Sequence, residues 1–279
     1  CSMKSLPKNI PTSFLQRIRL IFLPNGSVFY GWWIVLIAFF VMYLGSLFWI
    51  QSYGAYAVVF NREFGWSMTM LAAAYTLTRI ESGLLGPVQG WMTDRYGPRI
   101  ILSIGLLMHG IGLFCLTLVE TLPVYFLTVI IISVGISLGG YQTLMVAIVN
   151  WFQRHRTKAI ALTQLGHSLG GLSVPMLAYG LEQFGWHTIA FASGLAAILL
   201  GIPLAQNIRH RPEEKDEVVD GKIIGKNYND LLEKNNEIVF VSWQKALRTT
   251  AFWFISAGHA IALLSVSSVL VHLIPHLTK

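Results

Sequence analysis

"GWMTDRYGPRI", Gly90 to Ile100, is a charged turn set between two oily stretches. Upstream, residues 68–90 are apolar apart from Arg79 and Glu81 and a scatter of small polar groups. Downstream, residues 100–119 carry no Asp, Glu, Lys or Arg. A helix needs about 20 mostly apolar residues to cross a hydrocarbon core. Both runs are long enough, so the turn between them belongs in water at one membrane face. Its residues suit that place. Gly97 allows a tight turn, and Asp94 can accept hydrogen bonds beside a helix N-terminus. Arg99 can pair with carboxylates or the carbonyls that end a helix, and Gly90 lets neighbouring backbones approach. The stretch reads as the tip of a membrane-spanning helical hairpin. Strands are disfavoured, because the runs are continuous and do not alternate.

Working outward, seven apolar runs are expected to span: 30–60, 68–90, 100–119, 122–149, 158–180, 188–207 and 249–275. Only 12% of residues are charged, against roughly 25% in soluble domains. Cys1 and Cys115 give no disulfide framework. The net charge of +7 is a topology signal before it is anything else. Arg95 and Arg99 lie between runs two and three, and Arg154, Arg156 and Lys158 between four and five. Eight more basic residues lie between Arg209 and Arg248, and four precede the first run, whereas the alternate loops hold only Arg62. Lysine and arginine mark cytoplasmic loops. The N-terminus is therefore expected in the cytoplasm, in a plasma or inner membrane, with no nucleic-acid partner. The lipid bilayer is the expected surroundings, with anionic lipid a secondary contact for the basic loops. No cleavable signal peptide is evident. "TSFLQRIRLIF", 12–22, is a basic amphipathic segment suited to the inner membrane surface.

Between Gln206 and Arg248 the composition turns polar, with charges of both signs, as in solvated, partly disordered linkers. The expected organisation is a tail at 1–29, a six-span domain at 30–207, a cytoplasmic linker at 208–248, and the first span of a second domain at 249–279. A bundle of six that repeats would make twelve, with this chain stopping early in the second half.

The Gly90–Ile100 turn resembles the signature of the major facilitator superfamily: a glycine, three residues, then Asp-Arg-x-Gly-x-Arg. Gly90, Asp94, Arg95, Gly97 and Arg99 match, and Pro98 stands where a basic residue is common. "NWFQRHRTKAIALTQLGHSLGG", Asn150 to Gly171, resembles the fifth-span signature of the monocarboxylate porters. Trp151, Phe152, Arg154, Arg156, Ala159, Gly166 and Gly170 match; His155, Lys158 and Ala161 depart from it. "YGWWIV" looks like that branch's entry to the first span, without its acidic residue. "EFGWS" at 63–67 and "FGWHT" at 184–188 are similar to the prokaryotic relatives, which include oxalate–formate exchangers.

This resemblance implies an all-α membrane protein: the six-helix N-terminal bundle of a twelve-span fold with 3+3 inverted repeats, plus one helix of the second bundle. It implies a secondary active transporter working by alternating access, carrying a small organic anion with a proton or a counter-anion. The other half of the same transporter would be a partner. Spans one, two, four and five would face the cavity, and their polar residues are site candidates. Arg79, Tyr53, Gln142, Gln164 and His167 are candidates for substrate contact, Glu81 for proton coupling, and the Gly90–Arg99 turn for conformational gating. Gln51 and Tyr141 join them, and each uncharged group could equally bond a neighbouring helix. His109 reads as a packing residue. At about 100° per residue, Arg79 and Glu81 stand about 200° apart on their helix. They are poorly placed to neutralise each other.

Competing readings are weaker. "GHSLGG", 166–171, fits the Gly-x-Ser-x-Gly elbow of hydrolases, but that elbow needs a strand before it, and Gly166 and Gly170 read better as a helix-packing face. "HLIPH", 272–276, has ligand-like spacing but holds Pro275 and lacks a nearby partner. No metal, cofactor or enzyme activity is expected. A seven-span receptor, a non-transporting scaffold, or a facilitator for a drug, sugar or nucleoside are the alternatives. A receptor normally has its N-terminus outside, and a retinal pigment needs a lysine within the last span, which this chain lacks.

Overall fold

The computed structural model describes residues 28–215, 217–221, 245 and 247–277, and every regular element among them is helical. The elements are α1 (Tyr30–Gly45), a π-helical turn (Ser46–Ile50), α2 (Tyr53–Phe64), α3 (Met68–Tyr96), α4 (Pro98–Leu116), α5 (Leu122–Leu138), α6 (Tyr141–Trp151), α7 (Arg156–Leu172), α8 (Val174–Phe184), α9 (Trp186–Gln206) and α10 (Thr250–Leu277). Local chemistry explains their ends. Ser67 caps α3 by accepting from the Met70 N–H at 3.3 Å. Gly97 ends α3 at φ 81°, a conformation that favours glycine, and Pro98 starts α4, where its missing N–H costs nothing.

Among the described residues, four stretches are long and apolar enough to cross a membrane: Tyr30–Phe64, Pro98–Leu116, Leu122–Trp151 and Trp186–Gln206. The sequence expectation was seven. Helix α3 is 29 residues long, but threonines, glycines and mid-helix charges dilute its apolar character. The 158–180 run is divided at Ser173 into α7 and α8, of 17 and 11 residues. The linker expectation changes too. The chain divides into two compact units, Cys1–Ile223 and Ile224–Lys279, and residues 207–221 are bound to the first. The amphipathic 12–22 segment, most of the 208–248 linker and the side chains of His272 and His276 lie outside the described residues. The second unit contributes α10, of 28 residues, before which the Leu247 carbonyl accepts from Trp253 Nε1 at 2.9 Å.

Within the first unit, glycines let helices meet backbone to backbone. A Cβ on Gly135 of α5 would lie 2.3 Å from the His109 nitrogen of α4, and one on Gly166 of α7 would lie 2.1 Å from the Phe39 carbonyl oxygen of α1. His109 is buried at that α4–α5 contact, with no hydrogen-bond partner for either ring nitrogen.

Two apolar clusters result. One gathers Phe29, Trp32, Trp151, Phe152 and Ile208; the other gathers Trp49, Tyr56, Phe60, Tyr125 and Trp186. Three chain paths are interrupted between the clusters. The π-turn falls between Met42 and Tyr53, the Gly139–Gly140 break between Ile132 and Leu144, and the Ser173 break between Ala159 and Leu177. Helices α4 and α9 run without a break.

Candidate functional site

Helix interruptions expose backbone groups and change side-chain direction, and π-turns recur at functional sites. Here the π-turn borders a recess lined by its Trp49 and Ile50 together with Tyr75, Thr78, Arg79, Ser82, Ser133, Ile136 and Ser137. Arg79 is exposed. Its Nη2 donates to the Tyr75 hydroxyl at 2.5 Å, and its guanidinium lies 5.0 Å from the centre of that ring. Among the described residues no carboxylate pairs with it. Tyr75 is steadied in turn by the Tyr53 ring, 4.7 Å away.

Glu81 points elsewhere, as the helical angle requires. Its Oε2 accepts from Ser133 Oγ, with Ser82 Oγ at 3.3 Å and Ser137 Oγ at 3.4 Å; its Oε1 is buried without a partner. Gln89, one of the most buried polar groups, donates from Nε2 to the Ser137 carbonyl and to Thr143 Oγ1 at 3.1 Å. It thereby bridges the break between α5 and α6.

On the α1–α7 side, Gln51 Nε2 and His167 Nε2 lie 3.3 Å apart, and the His167 carbonyl accepts from Ser46 Oγ at 2.8 Å. The structure therefore brings His167 and Gln51 together, apart from the residues that line the Arg79 recess. Tyr53 is not brought there. It is buried, donating to the Leu71 carbonyl at 2.5 Å and sharing a 2.8 Å bond with the Tyr125 hydroxyl. Gln142 and Tyr141 are exposed at the start of α6, with Gln142 beside Gly86 of α3. Gln164 is exposed on α7.

The Gly90–Arg99 turn joins α3 to α4. Arg99 Nε donates to Gln206 Oε1 at 2.9 Å, tying α4 to the end of α9, and Gln206 Nε2 donates to Ser103 Oγ at 3.1 Å. Arg95 packs over Trp91 and Tyr96, at 5.5 and 5.9 Å from the ring centres. Asp94 is exposed in the last turn of α3, so it sits at its own helix's C-terminal end. A Cβ on Gly90 would meet nothing within 4 Å, so no described backbone approaches there. In the second motif, Arg156 donates from Nε to the Phe152 carbonyl at 3.1 Å, where a cation suits the end of α6. Arg154 is exposed, and Gly170 seats against Ser46.

A profile of the Major Facilitator Superfamily matches residues 35–279. The chain belongs to that superfamily. It is accordingly an integral membrane protein, as its four membrane-length helices indicate. An "MFS-type transporter" of Gibberella moniliformis is 32% identical over 137 residues, 48% of this chain and 33% of that protein. The "Fujikurins efflux protein" of Gibberella fujikuroi is 26% identical over 195 residues, 69% and 41% of the two chains. The "Oxalate:formate antiporter" of Oxalobacter formigenes is 26% identical over 205 residues, 72% and 45%. The facilitator chain spans less than half the length of these relatives.

The sequence reading did not single out Tyr75, Ser82, Gln89, Ser133 or Ser137. A signal existed: Ser133 and Ser137 sit four residues apart, on one face of an otherwise apolar helix.

Proposed function

We propose that this chain is the N-terminal six-span bundle, with the first span of a second bundle, of a secondary active transporter that carries a small organic anion by alternating access. The carrying observation is Arg79. A guanidinium inside a membrane is costly unless it faces a cavity or a partner. This one lines a recess, is oriented by Tyr75, and has no carboxylate partner among the described residues. A planar fork of donors suits a carboxylate. Glu81, turned into α5, is the group available for proton coupling; exchange against a counter-anion is the other mode. The likeness to an oxalate:formate antiporter agrees with an anionic solute. The likeness to an efflux protein favours, as a second reading, export of a different small solute. The lysine and arginine bias of the loops supports a cytoplasmic N-terminus.

The test uses the full-length transporter in proteoliposomes, measuring binding and uptake of small carboxylates. Arg79→Lys keeps the charge and loses the fork, and a lost charged hydrogen bond costs about 1.5–3 kcal/mol. Affinity should fall about tenfold or more, with insertion unchanged. Arg79→Lys and Arg79→Gln both binding like wild type would make the arginine structural and end the anion reading.

A further inference from the structure

One pattern occurs twice in the chain, at opposite ends of the first unit. "GPVQGWMTDRYGPR", 86–99, and "VPMLAYGLEQFGWH", 174–187, align without a gap. Pro87 falls on Pro175, Asp94 on Glu182 and Gly97 on Gly185, with an aromatic residue ahead of each glycine, Tyr96 and Phe184. The backbone repeats as well. Gly97 has φ 81° and ψ 154°, Gly185 has φ 78° and ψ 153°, and each ends one helix and starts the next. So does exposure. Trp91, Asp94 and Tyr96 are exposed around buried Thr93 and Pro98; Tyr179, Glu182 and Phe184 are exposed around buried Leu181 and Trp186. The surroundings differ: Arg99 bonds Gln206 at the end of α9, whereas Trp186 packs 6.1 Å from Phe64 at the end of α2. Inverted repeats put matching segments on the two sides of a membrane.

Neither carboxylate suits this half alone. Asp94 and Glu182 each lie in the last turn of their helix, where the backbone dipole disfavours an anion. Among the described residues neither accepts a hydrogen bond or pairs with a cation. Exposed aromatic rings flank each of them, and Val88 and Met176 extend the exposed apolar surface by a further turn. An unpartnered anion at the wrong end of a helix, set in an apolar face, calls for a donor from another body. This chain spans less than half of its relatives' length, so the body available is the second bundle. We infer that Glu182, with Tyr179 and Phe184, is an external gate, which the second bundle covers with a hydrogen-bond donor when the outer side closes. It is the inverted counterpart of the turn around Asp94, which is covered when the cytoplasmic side closes. This rests on the alternating-access reading. The two carboxylates then oppose each other. Neutralising Glu182 weakens the closed outer side, and neutralising Asp94 weakens the closed inner side. Gln183 and His187 stand where the inner turn has Arg95 and Arg99, so the outer gate depends on its carboxylate and rings.

The experiment uses the full-length transporter in detergent, where a maleimide reaches both ends, in a Cys1→Ser, Cys115→Ser background. Val88→Cys and Met176→Cys, in separate chains, report how open the inner and outer ends are. The readout is the labelling rate of Met176→Cys divided by that of Val88→Cys. Glu182→Gln should raise this ratio about tenfold, as loss of one hydrogen bond to a charged group does to an equilibrium. Asp94→Asn should lower it by a similar factor. The double variant should return it close to its starting value, which misfolding cannot do. If Asp94→Asn lowers the ratio while Glu182→Gln leaves it unchanged or lowers it, the external gate is overturned and alternating access stands. A ratio that none of the three variants moves would remove the alternating-access reading of both turns, and the external gate with it.

Discussion

Single residues were legible where their cost is high. An arginine and a glutamate inside an apolar run announce themselves, and the helical angle alone separated them onto different faces. The serines were not legible, because a hydroxyl in a membrane helix can bond its own preceding turn at little cost. Only the structure shows Ser133 reaching Glu81 instead. Glycines divide the same way. Gly166 and Gly90 both sit in helices and both read as packing glycines, yet only Gly166 faces a neighbour. Gly166→Val would force side-chain atoms where the Phe39 carbonyl lies, 2.1 Å from the first added carbon. Overpacking of this kind costs about 1–3 kcal/mol, occasionally more. Gly90→Ala adds a methyl to open space and gains up to about 1 kcal/mol of helix propensity. Thermal unfolding of the two variants in detergent should therefore move in opposite directions. Equal shifts would mean that α7 does not seat on α1 as described.

Elements were legible as apolar runs, and their interruptions were not. Nothing in "SLFWI" marks a π-turn, nor that its first residue, Ser46, packs against Gly170 of α7. Nor did the polar composition after Gln206 reveal that its first part is bound. The Tyr30 hydroxyl donates to the Asn207 carbonyl at 2.7 Å, Trp151 Nε1 to the Arg209 carbonyl at 3.0 Å, and Asn150 Nδ2 to the His210 carbonyl at 3.2 Å. Two carboxylates then close the strap over helix starts. Glu217 accepts from the Tyr30 N–H at 3.0 Å; Asp220 accepts from the N–H groups of Gln153, Arg154 and His155 at 3.3, 2.7 and 3.4 Å, just ahead of α7. Burial raises the Glu217 carboxyl above its ordinary range, with the Tyr30 N–H and Lys215 opposing. Glu217→Gln keeps an oxygen acceptor for the Tyr30 N–H and should change little. Asp220 accepts from three backbone N–H groups through both its oxygens. Asp220→Ala should cost about 0.5–2 kcal/mol, as loss of a helix cap does, and Asp220→Asn, which keeps one acceptor oxygen and turns an NH2 toward the remaining N–H, should recover only part of it. Hydrogen exchange at the amides of residues 153–155 reads this directly. Unchanged protection in Asp220→Ala would show that the strap does not hold that end.

At the scale of the molecule, the structure says which loops share an end, and charge says which end faces the cytoplasm. The turns after α2 and α8 meet through aromatic rings: Phe64 lies 4.5 Å from Trp66 and 6.1 Å from Trp186, centre to centre. At the opposite end, the start of α1, the α6–α7 turn and residues 207–221 are bonded together, and Arg99 joins α4 to Gln206. Among the described residues, the basic turns at Arg95–Arg99, Arg154–Lys158 and Arg209–Lys215 fall in this second group, which the lysine and arginine bias predicts to be cytoplasmic. The two arguments are independent, so a labelling experiment can separate them. Single cysteines at Glu63, Gln183, Tyr96 and Thr157, each exposed, would be placed in a chain carrying Cys1→Ser and Cys115→Ser. An impermeant maleimide applied to intact cells should label Glu63→Cys and Gln183→Cys, and reach Tyr96→Cys and Thr157→Cys only after permeabilisation. Labelling of only the second pair would invert the orientation and discard the charge argument, with the bundle intact. Labelling of one position from each pair would break the grouping itself. Glu63→Cys labelled together with Tyr96→Cys, for example, would put the α3–α4 turn on the same side as the Trp66 turn, against the expectation that α3 crosses once.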